Sequence, residues 1–305
     1  MRVGEWIISI PVWGQRYVKI FAEQCRPALL AAAERAQHSV RFLIHTDEAS
    51  SEPIRLSLGQ VEHELRPLPK ADQWWQQMTL AHREVLKLAQ SGVIVMPLTA
   101  DMIVSPEVFE ACARRFNEGK RLILCCGIRA VDDGTLPNRS SSRELLGWAW
   151  AHRHALTTES MWPDGRSGNW TGIYFERDEN VVFHARYPHP IAVMPHGHRD
   201  RFFPTIDCNY SENFRRDEVH VVTSPDELAA IEMSPREKAL EFVDPSFSER
   251  VKRGSLQALN EMSGWIYDHR ISIQGDPALV DNDAGIRPPQ PSRKHHLWHR
   301  ARRFR

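Results

Sequence analysis

The sequence predicts an α/β fold built on a Rossmann-type mixed sheet. Three observations carry that prediction. Residues 6–48 read strand, helix, strand, acid; residues 93–126 read strand, well-capped helix, strand; and the later strands are separated by long irregular loops. Two βα units in succession point to a parallel, doubly wound core. The late strands with irregular connections turn that core into a mixed sheet.

The elements follow in order. The β-branched run WIISIP at 6–11 is the first strand, and a turn through Val12, Trp13, Gly14 and Gln15 follows it. Residues 16–37 form a helix with Val18, Phe21, Leu29, Leu30 and Ala33 on its apolar face, and Pro27 kinks or splits it. Residues 40–44 are a second strand ending in His45, Thr46, Asp47 and Glu48, and 63–68 are a third. Asp72 caps a helix reaching about residue 90, with Trp75, Met78, Leu80, Val85, Leu86 and Leu88 as its core positions.

The stretch GVIVMPLTADMIV at 92–104 is the pivot. Residues 93–96 are a buried strand, Pro97 suits its exit, and Asp101 is carried to the lip of a cleft. Ser105, Pro106 and Glu107 mark a helix start, with Ser105 as the cap. Residues 121–126 are a fifth strand. A polar loop at 130–142 lies over the site, and a helix at 143–156 follows. Strands at 169–175 and 180–185 pair across a turn at 177–179, and 187–195 extend further. Ser224 to Glu227 and Ser234 to Glu237 both match the capping-box spacing and predict helix starts. The domain reading is therefore 1–223 as the binding and catalytic unit, 224–275 as a helical extension, and 276–305 as a Pro/Arg-rich basic tail.

Composition excludes several function classes. The 39 acids balance 39 Lys and Arg, so there is no bulk field for nucleic acid. The five cysteines are odd in number and none form a C-x-x-C pair, which argues against a disulfide framework and for a reducing compartment. The N-terminus lacks an apolar signal region, and no apolar run approaches a membrane-spanning length. A cytoplasmic location is expected, with peripheral membrane or protein contact through the basic residues of 294–305. The chain also lacks G-x-G-x-x-G after the first strand, a P-loop, H-E-x-x-H and G-x-S-x-G.

Open α/β sheets bind ligands beyond the carboxyl ends of their strands. Asp47 and Asp101 both follow predicted strands and so share that edge, with Pro11 at the exit of the first strand beside them. A carboxylate there can accept hydrogen bonds from a ribose or base. It can also hold Mn2+ or Mg2+, which prefer oxygen ligands, across a diphosphate. Downstream, Asp207 lies in the polar-aromatic segment FFPTIDCNYSENF, and Glu159 and Asp164 lie in irregular stretches. His184, His189 and His196 lie in or beside extended runs, and Trp148 and Trp170 are candidates to stack on a sugar.

Three segments carry a resemblance to the GT-A-fold glycosyltransferase superfamily of bacterial type. WIISIPVWGQRYVKIF resembles the first strand and helix of that fold. LIHTDE resembles the second strand with its nucleotide-facing acid. VIVMPLTADMIVSPEVFEAC resembles the segment around the metal-binding Asp-x-Asp, of which only the last acid, Asp101, stands here. The resemblance implies a nucleotide-sugar donor and a hydroxyl-bearing acceptor, as in surface-glycan synthesis. It assigns Asp47 and Asp101 to the donor, with Arg129 or a histidine helping to neutralise the diphosphate. It implies a metal shell of Asp101 completed by a late histidine such as His184. Asp207 or Glu159 would be the acid that activates the acceptor or stabilises the anomeric centre. Nucleotidyl transfer, and a non-catalytic binding protein on a degenerate GT-A-like fold, are the alternatives.

Overall fold

In the computed structural model, the side chains of residues 5–89, 92–125, 127–135, 137, 140–154, 189–196, 206, 210–236, 262, 265–266 and 269 are described, and the strands at 172–177, 180–185 and 270–272 are described as backbone. The α/β mixed sheet expected from the sequence is the observed architecture. Strands β1 (Trp6–Pro11), β2 (Val40–Thr46), β3 (His63–Pro67) and β4 (Ile94–Pro97) are mutually parallel. They join β6 (Leu122–Cys125), β10 (His189–Val193) and β11 (Val219–Val221) in one seven-stranded sheet of order β11-β6-β10-β4-β1-β2-β3. The mixed character comes from β10, which runs antiparallel between β4 and β6. A second sheet has the order β5 (Met102–Val104), β12 (Ala230–Ser234), β7 (Gly127–Val131). A third pairs β8 (Gly172–Arg177), β9 (Asn180–Ala185) and β13 (Arg270–Ser272), with β8 and β9 joined as the antiparallel hairpin the sequence predicts.

Every residue of β1 is buried, as a central parallel strand covered on both faces requires. Trp6 packs edge-on against Phe109 at 4.8 Å and Phe116 at 6.3 Å, which ties β1 to helix α5 (Val108–Asn117). On the alternate face stands Ser9, a polar group in an apolar strand, and it is satisfied by His82 of helix α4 (Trp74–Leu88) at 3.0 Å. Helix α4 buries Thr79, Ala81, His82, Val85 and Leu86, whereas Leu88, expected in the core, is 55% exposed. Asp72 does not cap α4: Gln73 stands at that position, with no side-chain cap.

The helix expected over 16–37 is split as Pro27 predicts. It forms α1 (Gln15–Ile20), a π-helical turn (Phe21–Cys25) and α2 (Arg26–Arg35). Proline has no N–H for the carbonyl four residues back, and its ring crowds that carbonyl. The widened turn immediately upstream absorbs the mismatch.

Several helix starts differ from the sequence reading, and each has a local cause. Asp47 opens helix α3 (Glu48–Leu58): its Oδ1 accepts from the Ser50 N–H at 2.8 Å. Asp47→Ala is therefore expected to cost about 1 kcal/mol in urea unfolding, and Asp47→Asn much less, because asparagine also caps. Ser105 does not cap α5. Its hydroxyl accepts from the Ala229 N–H at 3.0 Å and from Ser142 Oγ at 3.0 Å, so it is held between β12 and helix α6 (Ser142–Ala151) while α5 begins three residues later. Ser224 to Glu227 forms a turn, and the chain re-enters a strand at Ala230–Ser234 where the sequence reading had a helical extension begin. The apolar run around AIEMS fills the ladder between β5 and β7, and that tertiary pairing overrides the local capping signal. Most of the rest of the proposed extension, and the basic tail, lie outside the described residues.

Candidate functional site

The carboxyl edge of the parallel strands is set by register. Pro11 pairs with His45 and Ser9 with Pro97, so the segments after β1, β2 and β4 leave the sheet at one level. Backbone bonds pin them there: Val12 N–H to His45 O at 2.9 Å, and Leu98 N–H to Ser9 O at 2.9 Å. Gly14 has φ 77° and ψ 142°, a conformation that a side chain would strain, and its N–H donates to Ser50 Oγ at 3.2 Å. The β1–α1 connection is thereby folded over the first turn of α3. It delivers Arg16 and Tyr17 to the edge.

The turn at 98–101 brings Asp101 to the same place. Asp101 is 5% exposed, and its carbonyl accepts from the Met233 N–H of β12 at 2.9 Å. That bond couples the main-sheet edge to the second sheet. Arg16 spans the same junction: its Nη2 donates to the Met233 carbonyl at 2.9 Å and to Asp132 Oδ2 at 3.1 Å. One residue before Met233, Glu232 is in register with Arg129 on β7, and the two form an ion pair at 2.8 Å. The Arg16 guanidinium lies 5.0 Å from the Tyr17 ring centroid.

These groups act on one another electrostatically. Burial raises the Tyr17 phenol above its ordinary range and the Asp101 charge raises it further; Glu232 adds to this, while Arg16 and Arg129 oppose it. The phenol therefore remains a hydrogen-bond donor at neutral pH, and among the described residues its hydroxyl has no acceptor. Burial, and then Asp101, also push up the Cys25 thiol, so Cys25 is an inert core group and no nucleophile.

Among the described residues the donors at this edge do not make a metal shell, and the side chain of His184, the expected partner of Asp101, lies outside them. Asp132 and Glu232 are each engaged by an arginine, and no group of three His, Cys, Asp or Glu suited to a metal occurs among the described residues.

Of the residues expected from the sequence, Asp101 and Arg129 come together in this cluster, and Pro11 and Asp47 lie on the same edge. Asp47 is engaged in capping α3, and Arg129 is already paired with Glu232. His189 donates from Nε2 to the Pro97 carbonyl at 2.5 Å, and His196 packs on Phe214 at 5.0 Å. Trp148 of α6 stacks at 4.3 Å on His152, the residue that follows the helix. His184 is placed on β9 opposite Ile173 and Arg270, and its side chain lies outside the described residues. Glu159, Asp164, Trp170 and Asp207 lie outside them as well. Arg16, Tyr17, Asp132 and Glu232 were not singled out by the sequence reading. Glu232 did have a signal, as the one charge in the apolar run 228–234.

No family model matches the chain, and no curated protein matches it. Among solved structures it is similar to the crystal structure of S. aureus TarS 1-349 in complex with UDP-GlcNAc, with a TM-score of 0.48 and 12% identity over 87% of this chain and 70% of that one. A crystal structure of S. aureus TarS 1-349 gives 0.41 and 11%, over 87% and 69%. A putative glucose-1-phosphate thymidylyltransferase from Bacillus anthracis, in complex with a sucrose, gives 0.31 and 12%, over 63% and 68%.

Proposed function

We propose that this protein is a glycosyltransferase that moves a sugar from a nucleotide-sugar donor to a hydroxyl acceptor. One observation carries the reading: buried Asp101 and Arg16 both bond the backbone of Met233 at the carboxyl edge of a parallel sheet, next to the Arg129–Glu232 pair. The three segments that resemble the GT-A superfamily supply β1 with α1, the end of β2, and β4 through α5, so they border this same edge.

In this reading the nucleoside lies over Pro11 and Asp47. The diphosphate lies towards Arg16 and Arg129. The Tyr17 hydroxyl donates to a phosphate oxygen, and Asp101 holds the arginine–tyrosine pair in place. Charge developing on the leaving diphosphate is met by donors that are already ordered, which is how such groups lower a barrier. Asp207 or Glu159 takes the proton of the acceptor hydroxyl. Surface-glycan chains are the acceptor class, and peripheral contact through the basic C-terminus would bring the enzyme to them.

Calorimetric titration with UDP, GDP, CMP and their sugars, with and without Mn2+, tests the proposal. One nucleotide-sugar class should bind. Tyr17→Phe should weaken that ligand about tenfold, the worth of one hydrogen bond to a charged group, with an unchanged melting temperature. Binding of a nucleoside triphosphate with release of pyrophosphate would instead indicate nucleotidyl transfer. Failure of every nucleotide would indicate a non-catalytic scaffold.

A further inference from the structure

Beneath the 98–101 turn, the layer between α4 and the main sheet is not purely apolar. Three histidines from three elements meet there. His82 of α4 is 1% exposed and bonds Ser9 Oγ through Nδ1 at 3.0 Å. Its Nε2 is buried and has no hydrogen-bond partner among the described residues. His45 of β2 has a fully buried side chain: its Nε2 donates to Glu84 at 3.1 Å, and its Nδ1 is likewise without a partner. His189 of β10 donates to the Pro97 carbonyl, on the last residue of β4.

The charged surroundings of His82 are one-sided. Among the described residues its polar neighbour on β1 is the Ser9 hydroxyl, and from β2 and β10 the fields of His45 and His189 reach it. The acids nearby, Glu84 and Glu64, face His45 and Arg66 instead. A proton on His82 would thus place a cation in a buried layer near two more histidines, with no carboxylate among the described residues in contact to receive it. Burial, then the fields of His189 and His45, hold its basicity well below the ordinary imidazole range. An unfolded chain has no such barrier and protonates normally.

These residues are also the supports of the Asp101 turn. Ser9 accepts from the Leu98 N–H through its carbonyl and bonds His82 through its hydroxyl, while His189 holds the Pro97 carbonyl. We propose that Ser9, His82 and His189 form a pH-sensitive latch beneath this turn, closed at neutral pH and released on acidification. The latch goes beyond the proposed transfer activity and stands or falls independently of it.

The sign follows from linkage. A histidine kept neutral in the folded state and free to protonate in the opened state stabilises the closed form fully above the ordinary histidine range. That stability is lost progressively as pH falls below it. The melting temperature of the wild-type protein should drop by about 2–4 °C per pH unit below 6.5. Amide exchange should read the turn directly. Protection of the Leu98 and Met233 amides, corrected for intrinsic rates, should fall at least about tenfold between pH 7.5 and 5.5. The Phe42 amide, bonded to Glu62 O away from the latch, should keep its protection.

His82→Asn retains a partner for Ser9 and cannot titrate, so it should flatten both profiles. His82→Gln serves as a second neutral variant if the first does not fold. A wild-type protein whose turn protection is level from pH 7.5 to 5.5 would overturn the latch. So would a neutral variant that keeps the wild-type pH dependence, which would move the effect to His45 or elsewhere.

Discussion

Asparagine at position 101 is expected to lower nucleotide-sugar turnover by about 100-fold, the scale seen when one preorganised electrostatic group is removed from a site. The substitution preserves shape in a residue that is 5% exposed, and the backbone bond from the Met233 N–H to the Asp101 carbonyl does not depend on the side chain. Binding and turnover should therefore fall in a protein that still folds cooperatively. A second readout checks that the cause is charge. Asp101 contributes to raising the Tyr17 phenol, so in Asp101→Asn that phenol should titrate at lower pH by ultraviolet absorbance. Unchanged turnover alongside a shifted phenol would separate the electrostatics of the cluster from any role in transfer.

The largest expected effect on stability lies away from that site. Glu227 is 8% exposed and accepts from Arg115 at 2.6 Å, Arg114 at 3.2 Å and His220 at 3.0 Å. It joins α5, β11 and the turn that leads into β12. Burial raises this carboxyl, but the hydrogen bonds from His220 and Arg115 outweigh it and hold the group at about 2, against an ordinary 4.5. Glu227→Gln removes the buried charge shared by Arg115, Arg114 and His220 and leaves Arg115 only its outer pair with Glu118 at 2.9 Å, at a cost of about 3 kcal/mol in urea unfolding at pH 7. The pH dependence has a definite sign. A depressed carboxyl stabilises the fold above its unfolded value and loses that contribution as pH falls from about 4.5 towards 2. Wild type should lose stability through that window, and the variant should lose correspondingly less. Equal acid profiles would show that the cluster is solvated and contributes little.

The contrast between Glu227 and Ser105 shows how far local sequence signals reach. Both belong to well-formed capping patterns, and both are taken instead by distant partners. Ser105 holds Ala229 and Ser142, and Glu227 holds two arginines and a histidine. Capping motifs report what a segment can do alone; a buried polar side chain goes to whichever partner the tertiary structure supplies. The strands were legible because burial on both faces produces continuous apolar runs, as in β1 and β4. Pro27 was legible because its effect on a helix is intrinsic to the ring. The site was half legible. Asp101, Asp47 and Pro11 follow from strand ends and topology alone. Arg16, Tyr17 and Asp132 depend on how a second sheet folds against the first, through Met233, and no local pattern encodes that contact. Helix α3 opens on the Asp47 cap, and that role stands beside the one the strand end suggests.

A nucleotide sugar bound across the carboxyl edge of β1, β2 and β4 should leave its mark in hydrogen exchange, measured with and without the donor identified by calorimetry. Added protection is expected at 12–17 and 98–102 and around Glu232, with none on β3. Protection confined to other parts of the chain, or binding that leaves those segments unchanged, would contradict it.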